Sequence, residues 1–288
     1  MIFEETFTLH NGVKIPKLAL GTWLVADEDA GAAVAAALQI GYRHVDTAQA
    51  YRNEAGVGDG IRKSGVKRED VFVTSKVAAE RKEYANAAAS IDRSLKKMGL
   101  DYLDLMIIHS PQPWKAVNQS DDRYFEGNLA AWKALEDAYK AGKVRAIGVS
   151  NFLEIDLENI ITHGEIKPMV NQILAHIGNT PFALIDYCQH RDIVVEAYSP
   201  IAHGMALQAE EITAMAEKYG VSASQLCIRY DLQLGMVVLP KTVNPEHMKS
   251  NGAVDFVISA EDMERLKHVS PLKDYGKDSF FPVFGGKM

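Results

Sequence analysis

Residues 71–110, VFVTSKVAAERKEYANAAASIDRSLKKMGLDYLDLMIIHS, show the unit from which the fold of this chain can be predicted. Residues 71–75 and 103–108 are short apolar runs rich in β-branched side chains. They lack polar alternation, as is typical of strands buried on both faces of a parallel sheet. Residues 85–98 between them have the composition and apolar period of a helix, and Gly99 follows as its C-terminal cap. The stretch therefore predicts a strand, a crossover helix and a parallel strand.

This unit recurs along the whole chain of 288 residues, without a Pro- or Ser-rich linker or a shift in composition. Six further strands are predicted at residues 18–21, 44–47, 146–149, 169–173, 194–197 and 237–239. Further helices are predicted at residues 27–40, 125–141, 155–161, 182–190, 210–219, 222–234 and 244–252. Eight strands that alternate with helices are what a closed (β/α)8 TIM barrel requires. We therefore expect residues 1–288 to form one α/β barrel domain, with extra helices before the last strand.

A β-hairpin is predicted ahead of the first barrel strand, because Asn11-Gly12 separates two short apolar stretches in TLHNGVKI. An open doubly wound sheet is the alternative to the barrel. It would carry a G-x-G-x-x-G turn after its first strand, which is absent here. Gly56, Gly58 and Gly60 resemble such a turn only superficially, because they follow no strand. We interpret them as structural residues of a helix or of its approach.

Composition and charge disfavour several classes of function. The chain has 31 Lys and Arg residues against 38 Asp and Glu residues, and its net charge of −7 argues against nucleic acid and anionic membranes as partners. Its two cysteines, Cys188 and Cys227, are far apart and lack metal-ligand spacing. No apolar run approaches the roughly 18 residues of a membrane span, and the N-terminal residues are acidic where a signal peptide is basic. We expect a cytoplasmic monomer without a bound metal.

Titratable side chains stand at the carboxyl ends of three predicted strands, where the active sites of such barrels lie. Asp46, Lys76 and His109 each follow an apolar run directly, and Tyr51 comes five residues after Asp46. Taken singly, each has an ordinary explanation as a helix cap, a solvated cation or a buried core histidine. Together they supply a proton donor, a cation beside it, an anion that holds the cation and a neutral hydrogen-bonding group. General acid–base catalysis can use such a set.

Seven motifs, in this order, resemble those of the aldo-keto reductases: GYRHVDTAQAYRNEAGVG, VFVTSK, LMIIHSP, GVSNF, NQI, EAYSP and LPKT. The resemblance covers nearly the whole chain and is strongest to the short prokaryotic members that are diketo-gluconate or methylglyoxal reductases. It implies an NADPH-dependent reduction of aldehydes, ketones or dicarbonyls to alcohols, in which Asp46, Tyr51, Lys76 and His109 form the catalytic tetrad.

The resemblance also implies a role for each member of this tetrad. Tyr51 donates the proton that the reduced carbonyl oxygen takes up. We expect the ammonium of Lys76 to lower the pKa of Tyr51 from about 10, and Asp46 to hold Lys76 in place. A neutral His109 would orient the substrate carbonyl.

A set of cofactor contacts follows from the same resemblance. Ser150, Asn151 and Gln172 match residues that bind the nicotinamide carboxamide, and Tyr198 matches the aromatic residue on which the ring stacks. The remaining matches are Gly21, Thr22, Ser199, Pro200 and Ile201 on the pyrophosphate side, Lys241 and Thr242 at the adenosine 2′-phosphate, and Asn251 near the adenine. The family's usual arginine is replaced by His247, a weaker and pH-dependent partner for phosphate. The use of NADH therefore stays open beside that of NADPH.

The substrate pocket departs from the usual family pattern. Many members have a tryptophan after the tetrad lysine and another after the tetrad histidine, whereas this chain reads KVA from Lys76 and HSP from His109. We expect a wider pocket floor, with Trp23 as a wall and Trp114 reaching in from the following loop. Aromatic residues of the C-terminal tail, DYGKDSFFPVFGGKM, are expected at the barrel mouth.

Two alternatives to carbonyl reduction stay open. A nucleotide-binding regulatory relative would bind NADPH without significant turnover, although such a protein has no need of a proton donor. An imine substrate would use the same transfer of a hydride and a proton. A metal-dependent or phosphosugar-binding barrel is disfavoured, because the sequence has neither metal-ligand spacing nor a glycine-rich phosphate loop at the last two strands.

Overall fold

Eight parallel strands form a barrel in the structure, a computed structural model that describes all 288 residues. In chain order, the strands are β1 (Thr6–Thr8) and β2 (Lys14–Pro16) of an antiparallel hairpin, then the barrel strands β3 (Leu20–Gly21), β4 (His44–Asp46), β5 (Phe72–Val77), β6 (Leu105–Ile108), β7 (Ile147–Ser150), β8 (Val170–Leu174), β9 (Val194–Tyr198) and β10 (Val237–Leu239). Neighbours in sequence pair with each other from β3 to β10. The first and last strands also meet, because Ala19 N donates to Val238 O at 2.9 Å and Gly21 N donates to Pro240 O at 3.0 Å. These bonds close the barrel and confirm the predicted (β/α)8 fold.

The hairpin has a longer connection than the two-residue Asn-Gly turn that the sequence predicts. Strands β1 and β2 pair antiparallel, and residues 9–13 connect them. Asn11 Oδ1 accepts a hydrogen bond from Val13 N at 3.1 Å, and Asn11 Nδ2 donates to Arg145 O at 2.9 Å. Gly12 has a φ of +87°, a conformation in which a side chain would be strained. The turn is thus fastened to the body of the protein through Asn11.

Ten α-helices surround the barrel: α1 (Asp27–Ile40), α2 (Glu54–Lys63), α3 (Tyr84–Met98), α4 (Phe125–Lys140), α5 (Glu154–His163), α6 (Phe182–Gln189), α7 (Glu210–Tyr219), α8 (Ala223–Gln233), α9 (Pro245–Gly252) and α10 (Ala260–Lys267). All eight predicted helices are present, α2 was expected only as a helix or its approach around Gly56, Gly58 and Gly60, and α10 was not predicted. Its start carries a signal that could have revealed it, because Ser259 Oγ accepts from Asp262 N at 3.2 Å as an N-cap. None of the helices is both long and apolar enough to cross a lipid bilayer.

The glycines at positions 56, 58 and 60 lie in helix α2 and serve close helix packing, as the sequence interpretation proposed. A Cβ atom on Gly58 would lie 2.0 Å from the carbonyl oxygen of Met98 at the end of α3. A Cβ atom on Gly56 would lie 2.1 Å from the carbonyl oxygen of Asp27 at the start of α1. Helix α2 therefore contacts the backbones of both neighbouring helices, which holds the segment that precedes it against the barrel rim.

Two hydrophobic clusters organise the interior. The larger contains 57 buried residues and joins the barrel strands to the inner faces of the surrounding helices. The smaller contains 13 buried residues from α7, α8, α10, the loop after β9 and the C-terminal tail. It fastens the loop after β9 and the tail beside the carboxyl ends of the barrel strands, where the polar side chains predicted from the sequence also gather.

Candidate active site

A buried ion pair lies at the centre of the site. Lys76 on β5 is fully buried, and its Nζ donates to Asp46 Oδ1 at 2.5 Å and to Thr47 O at 2.9 Å. Asp46 ends strand β4, which pairs with β5 in parallel, so the two side chains come from adjacent strands. A buried ammonium group is stable only when such partners replace its lost hydration. The pair predicted from the sequence is therefore present.

Tyr51 lies in a short 3₁₀ turn, Gln49–Tyr51, that follows β4. The side chain of Gln49 anchors this turn on both sides, because its Oε1 accepts from Ala78 N at 3.1 Å and its Nε2 donates to Ser94 Oγ at 3.1 Å. Lys76 Nζ is 4.9 Å from the centroid of the Tyr51 ring. The turn thus places the phenol beside the buried ammonium.

The effect of this environment on Tyr51 differs from the sequence prediction. Burial raises the pKa of Tyr51 well above its usual value, and the negative charge of Asp46 raises it further. Lys76 does not bring the pKa of Tyr51 below its usual value, for two reasons. Asp46 compensates the lysine charge at 2.5 Å, and removal from water disfavours a phenolate. Tyr51 is consequently a protonated phenol at neutral pH.

His109 follows β6 and is 7% exposed. Burial and the nearby charge of Lys76 lower its pKa well below the usual value of histidine, so the imidazole is neutral. Its Nδ1 is buried without a hydrogen-bond partner. Its ring lies edge-on to Tyr51 at a centroid distance of 5.6 Å and to Trp114 at 5.1 Å. The phenol and the neutral imidazole are therefore close neighbours.

A second buried carboxylate lies behind this tetrad. Gln172 on β8 donates from Nε2 to Asp46 Oδ2 at 2.9 Å and to Glu196 Oε2 at 2.8 Å. Glu196 on β9 is fully buried. The sequence reasoning did not consider Glu196, although a charged residue inside the apolar run VVEAY was a signal for it. The hydrogen bonds of the tetrad therefore extend through Gln172 to Glu196 in the barrel interior.

The loops after β7 and β9 are joined by side chains of the site. Tyr198 Oη donates to Asn151 Oδ1 at 2.7 Å, and Asn151 Nδ2 donates to His109 O at 3.1 Å and to Ser150 Oγ at 3.0 Å. Asn151 and Ser199 have φ values of +62° and +55°. Such left-handed conformations are uncommon outside glycine and cluster at functional sites.

These residues open into one cleft of about 850 Å³ at the carboxyl ends of the strands. Fourteen of the predicted site residues line it: Gly21, Thr22, Trp23, Asp46, Tyr51, His109, Trp114, Ser150, Asn151, Gln172, Tyr198, Ser199, Ile201 and Lys241. Pro200 lines it as well. Lys76 lies out of contact with solvent and acts through its neighbours. Most of the predicted site residues therefore lie in the wall of one cleft.

Three predicted cofactor residues lie outside the wall of this cleft. Thr242 Oγ1 accepts a hydrogen bond from Asn244 N at 3.1 Å, just ahead of helix α9. His247 is exposed on α9, and Asn251 on the same helix is 7% exposed. Their roles at the adenosine end of a cofactor stay predictions.

Aromatic residues from two loops and from the C-terminal tail line the cleft. Trp114 lies against His109, and its ring centroid is 5.0 Å from that of Phe281 in the C-terminal tail. Trp23 lies 5.8 Å from Phe281 and 6.0 Å from Phe284. The expected approach of Trp114 to the pocket is thus present, whereas the wider floor stays a prediction.

The tail is also tied to the loop after β9. His203 Nδ1 lies 2.9 Å from Asp278 Oδ2, and His203 Nε2 lies 3.1 Å from Ser199 Oγ. The expectation that tail residues reach the barrel mouth is confirmed for Phe281 and Phe284, which line the cleft.

The chemistry of the cleft defines a class of protein. No group of three or more His, Cys, Asp or Glu side chains is placed to hold a metal ion. The cleft instead combines a protonated phenol, a compensated ammonium, a neutral imidazole and several amides at the carboxyl ends of barrel strands. A (β/α)8 barrel with this set has the groups that general acid–base catalysis uses.

Comparison with known proteins assigns the family. The sequence pattern of the aldo/keto reductase family matches residues 17–271. The chain is 43% identical to a glyoxal reductase of Bacillus subtilis over 91% of this chain and 92% of that protein. A solved aldo/keto reductase structure from Brucella melitensis has 36% identity and a TM-score of 0.84, and the match covers 91% of this chain and 98% of that chain. A Bombyx mori aldo-keto reductase in complex with NADP has 32% identity and a TM-score of 0.84 over 96% of this chain and 95% of that chain. The chain belongs to the aldo-keto reductase family and is an NAD(P)H-dependent oxidoreductase.

Proposed function

We propose that this protein reduces aldehydes, ketones or dicarbonyls to alcohols with NADPH, and that Tyr51 donates the proton. One observation carries the proposal: the Tyr51 phenol lies beside the buried Lys76–Asp46 pair and the neutral His109 in a single cleft. Reduction of a carbonyl needs a proton donor where negative charge develops on oxygen. This cleft offers such a donor together with groups that stabilise the charge left behind.

The polar groups along the cleft suit a nicotinamide dinucleotide. Gln172 and Asn151 present amides beside the tetrad, and Tyr198 adds an aromatic ring to the same wall. Lys241, at another part of the wall, is an exposed ammonium that makes no salt bridge and suits a phosphate group. When bound, the nicotinamide supplies the hydride that reduces the carbonyl carbon.

Tyr51 holds its proton until the carbonyl oxygen accepts it. Its raised pKa keeps the phenol protonated at neutral pH. After the proton moves from the Tyr51 hydroxyl to the carbonyl oxygen, a phenolate remains near Lys76 Nζ, which lies 4.9 Å from the ring centroid. Attraction between these charges lowers the free energy of the product state. His109, being neutral, donates a hydrogen bond to the same oxygen and orients it.

The shape of the cleft favours short carbonyl substrates. Trp114 and Phe281 lie close together beside His109, which restricts the space next to the reacting oxygen. The similarity to a protein named glyoxal reductase supports small dicarbonyls as the first substrates to test. An imine substrate is the second candidate, because it needs the same proton donor.

The proposed preference for NADPH depends on Lys241. Its ammonium and the neighbouring Thr242 hydroxyl suit the dianion of an adenosine 2′-phosphate. His247 is exposed on α9 and offers a weaker, pH-dependent partner than the arginine it replaces. We therefore expect NADH to be accepted as well, but bound less tightly.

The proposal is tested by the oxidation of NADPH and NADH, followed at 340 nm, with glyoxal, methylglyoxal, simple aldehydes, ketones and an imine. Tyr51→Phe removes the proton donor and is expected to lower kcat at least about 100-fold while NADPH still binds. Tyr84→Phe is the matched control, because Tyr84 is exposed on α3 and donates to Asp137. Tight binding of NADPH by the wild type without turnover of any of these compounds would favour the regulatory alternative.

We also propose that the enzyme acts as a monomer, because one chain supplies all four members of the tetrad. Light scattering of the purified protein tests this directly, because a dimer would double the 31.7 kDa mass of the chain.

A further inference from the structure

Glu196 lies in the barrel interior beneath the cleft, where no substrate reaches it. It is fully buried on β9, and its Oε2 accepts the hydrogen bond from Gln172 Nε2 at 2.8 Å. Its Oε1 has no hydrogen-bond partner and lies 3.8 Å from Nε2 of the buried His44. Nothing in the proposed proton transfer uses this carboxyl group, although it is one contact away from the tetrad.

The position of Glu196 determines how Gln172 faces the cleft. One nitrogen, Gln172 Nε2, lies 2.9 Å from the Asp46 carboxylate and 2.8 Å from Glu196. The atom must donate to the ionised Asp46, so the reversed orientation of the amide would place an oxygen against a negative charge. With both amide hydrogens used, Gln172 Oε1 is left as the free acceptor of a residue that lines the cleft.

Glu196 accepts the hydrogen bond of this amide while its own carboxyl group is protonated and neutral. Lys76 already compensates Asp46, and Glu196 has no cation within hydrogen-bond distance. A buried carboxylate with an unpartnered oxygen is costly to ionise. Burial, followed by the charge of Asp46, raises the pKa of Glu196 to about 8, and burial lowers the pKa of His44 to about 3. Both groups are therefore uncharged at pH 7.

We propose that Glu196 is a positioning residue for the proposed carbonyl reduction. In its neutral form it keeps Gln172 Oε1 turned to the cleft as an acceptor, and its ionisation slows the reaction by adding a second negative charge beside Asp46. The inference rests on the proposed function, since it concerns the rate of that reaction and the binding of its cofactor.

The direction of the pH effect follows from the groups that face Glu196. They are Asp46 and His44 on β4, Lys76 on β5 and Gln172 on β8, while its partner in β10 is the apolar Val237. Above a pH of about 8, Glu196 ionises and the interior gains one uncompensated negative charge. The second negative charge then makes a Tyr51 phenolate less stable, as the charge of Asp46 already does by raising the pKa of Tyr51. The rate of carbonyl reduction should therefore fall through this range.

Two substitutions of Glu196 separate positioning from simple packing. Glu196→Ala removes the partner of Gln172 and should weaken NADPH binding about tenfold. Glu196→Gln retains an acceptor oxygen and should restore most of that affinity. It should also abolish the fall of kcat/KM that the wild type shows as the pH passes about 8, because an amide cannot ionise. Glu136→Gln, a buried glutamate on α4 remote from the cleft, is the control and should retain the wild-type pH profile.

The measurements are the Kd of NADPH by fluorescence quenching and the pH profile of kcat/KM with methylglyoxal, after urea denaturation has confirmed that each variant folds. Superimposable pH profiles for the wild type and Glu196→Gln would overturn the proposal, as would unchanged NADPH binding by Glu196→Ala. Absence of turnover by the wild type would instead count against the proposed function. The binding measurements would still test the positioning of Gln172.

Discussion

Lys76 Nζ lies 2.5 Å from Asp46 Oδ1, and neither side chain has appreciable contact with solvent. Asp46 Oδ2 is occupied as well, because Gln172 donates to it at 2.9 Å. The charge of the lysine is therefore balanced before any substrate arrives. Burial of the phenol, together with this balance, explains why Tyr51 stays protonated beside an ammonium group.

Removal of one partner of this ion pair should lower both the stability and the activity of the protein. Lys76→Met leaves the Asp46 carboxylate buried without its cation, and we expect a loss of about 3 to 5 kcal/mol in the free energy of unfolding and of about 100-fold or more in kcat. The double variant Asp46→Asn with Lys76→Met removes both charges and should regain stability but not activity. Urea denaturation measures the first effect and NADPH oxidation the second.

The control for this buried ion pair is an ion pair on the protein surface. Lys63 lies 2.6 Å from Asp59 on the surface of α2, and Lys63→Met should cost less than about 1 kcal/mol. Equal losses in the two lysine variants would contradict the role given to the buried pair.

Cofactor preference should respond to Lys241, which lines the cleft, and to His247, which is exposed on helix α9 outside the cleft wall. Lys241→Ala removes an unpaired cation and should weaken NADPH binding about tenfold with little change for NADH. His247→Arg restores a guanidinium and should shift the preference toward NADPH by a similar factor. Titration calorimetry measures the Kd of NADPH and of NADH for each variant, and Lys14→Ala on the hairpin is the control. An equal effect of Lys241→Ala on NADPH and NADH would argue against a 2′-phosphate site there.

The stability of the fold should depend on pH through Glu196. Its pKa is about 8 in the folded protein against 4.5 for an ordinary glutamate, so the native state keeps a proton that the unfolded chain releases between these values. This contribution to stability is complete below a pH of about 4.5 and is lost as the pH rises to about 8. Stability relative to Glu196→Gln should fall by at most about 1.4 kcal/mol for each pH unit in this window.

The measurement is urea denaturation of both proteins from pH 5 to pH 8. His44 changes charge in the opposite sense, because its lowered pKa gives stability that is lost as the pH falls below 6.5. That effect is common to both proteins and largely cancels in the difference. A difference that stays constant with pH would show that Glu196 ionises normally in the native state.

Gly58→Ala should destabilise the protein, although alanine is the better helix former. In an exposed helix interior this substitution gains about 1 kcal/mol. Here the new Cβ atom would lie 2.0 Å from the Met98 carbonyl oxygen, which forces α2 and α3 apart, and we expect a net loss of about 3 kcal/mol. Ala55→Gly, at an exposed position of the same helix, should cost about 1 kcal/mol. Thermal denaturation measures the stability of both variants, and a stabilised Gly58→Ala would refute the packing explanation.

Local pattern was sufficient for the barrel and for the candidate residues at the strand ends, whereas the tetrad as a set came from the resemblance to the aldo-keto reductases. The apolar runs define strands because burial on both faces requires them, and Asp46, Lys76 and His109 stand out as polar groups directly after those runs. Helix α10 escaped because it is only eight residues long and mostly polar, although Met263 and Leu266 repeat at helical spacing and Ser259 caps its start. The hairpin was recognised from Asn11-Gly12, but its true connection depends on a bond from Asn11 to the distant Arg145.

The sequence by itself indicated which apolar runs form strands, which polar residues stand at strand ends and which family they resemble, because these properties can be read from short stretches of the chain. Tertiary structure alone decided the direction of the Tyr51 pKa, the position of Trp114 against His109 and the chain of contacts from Lys76 to Glu196. Those depend on the removal of water and on distances between side chains from β4, β5, β8 and β9. Residues so far apart in sequence acquire a common environment only when the barrel closes around them.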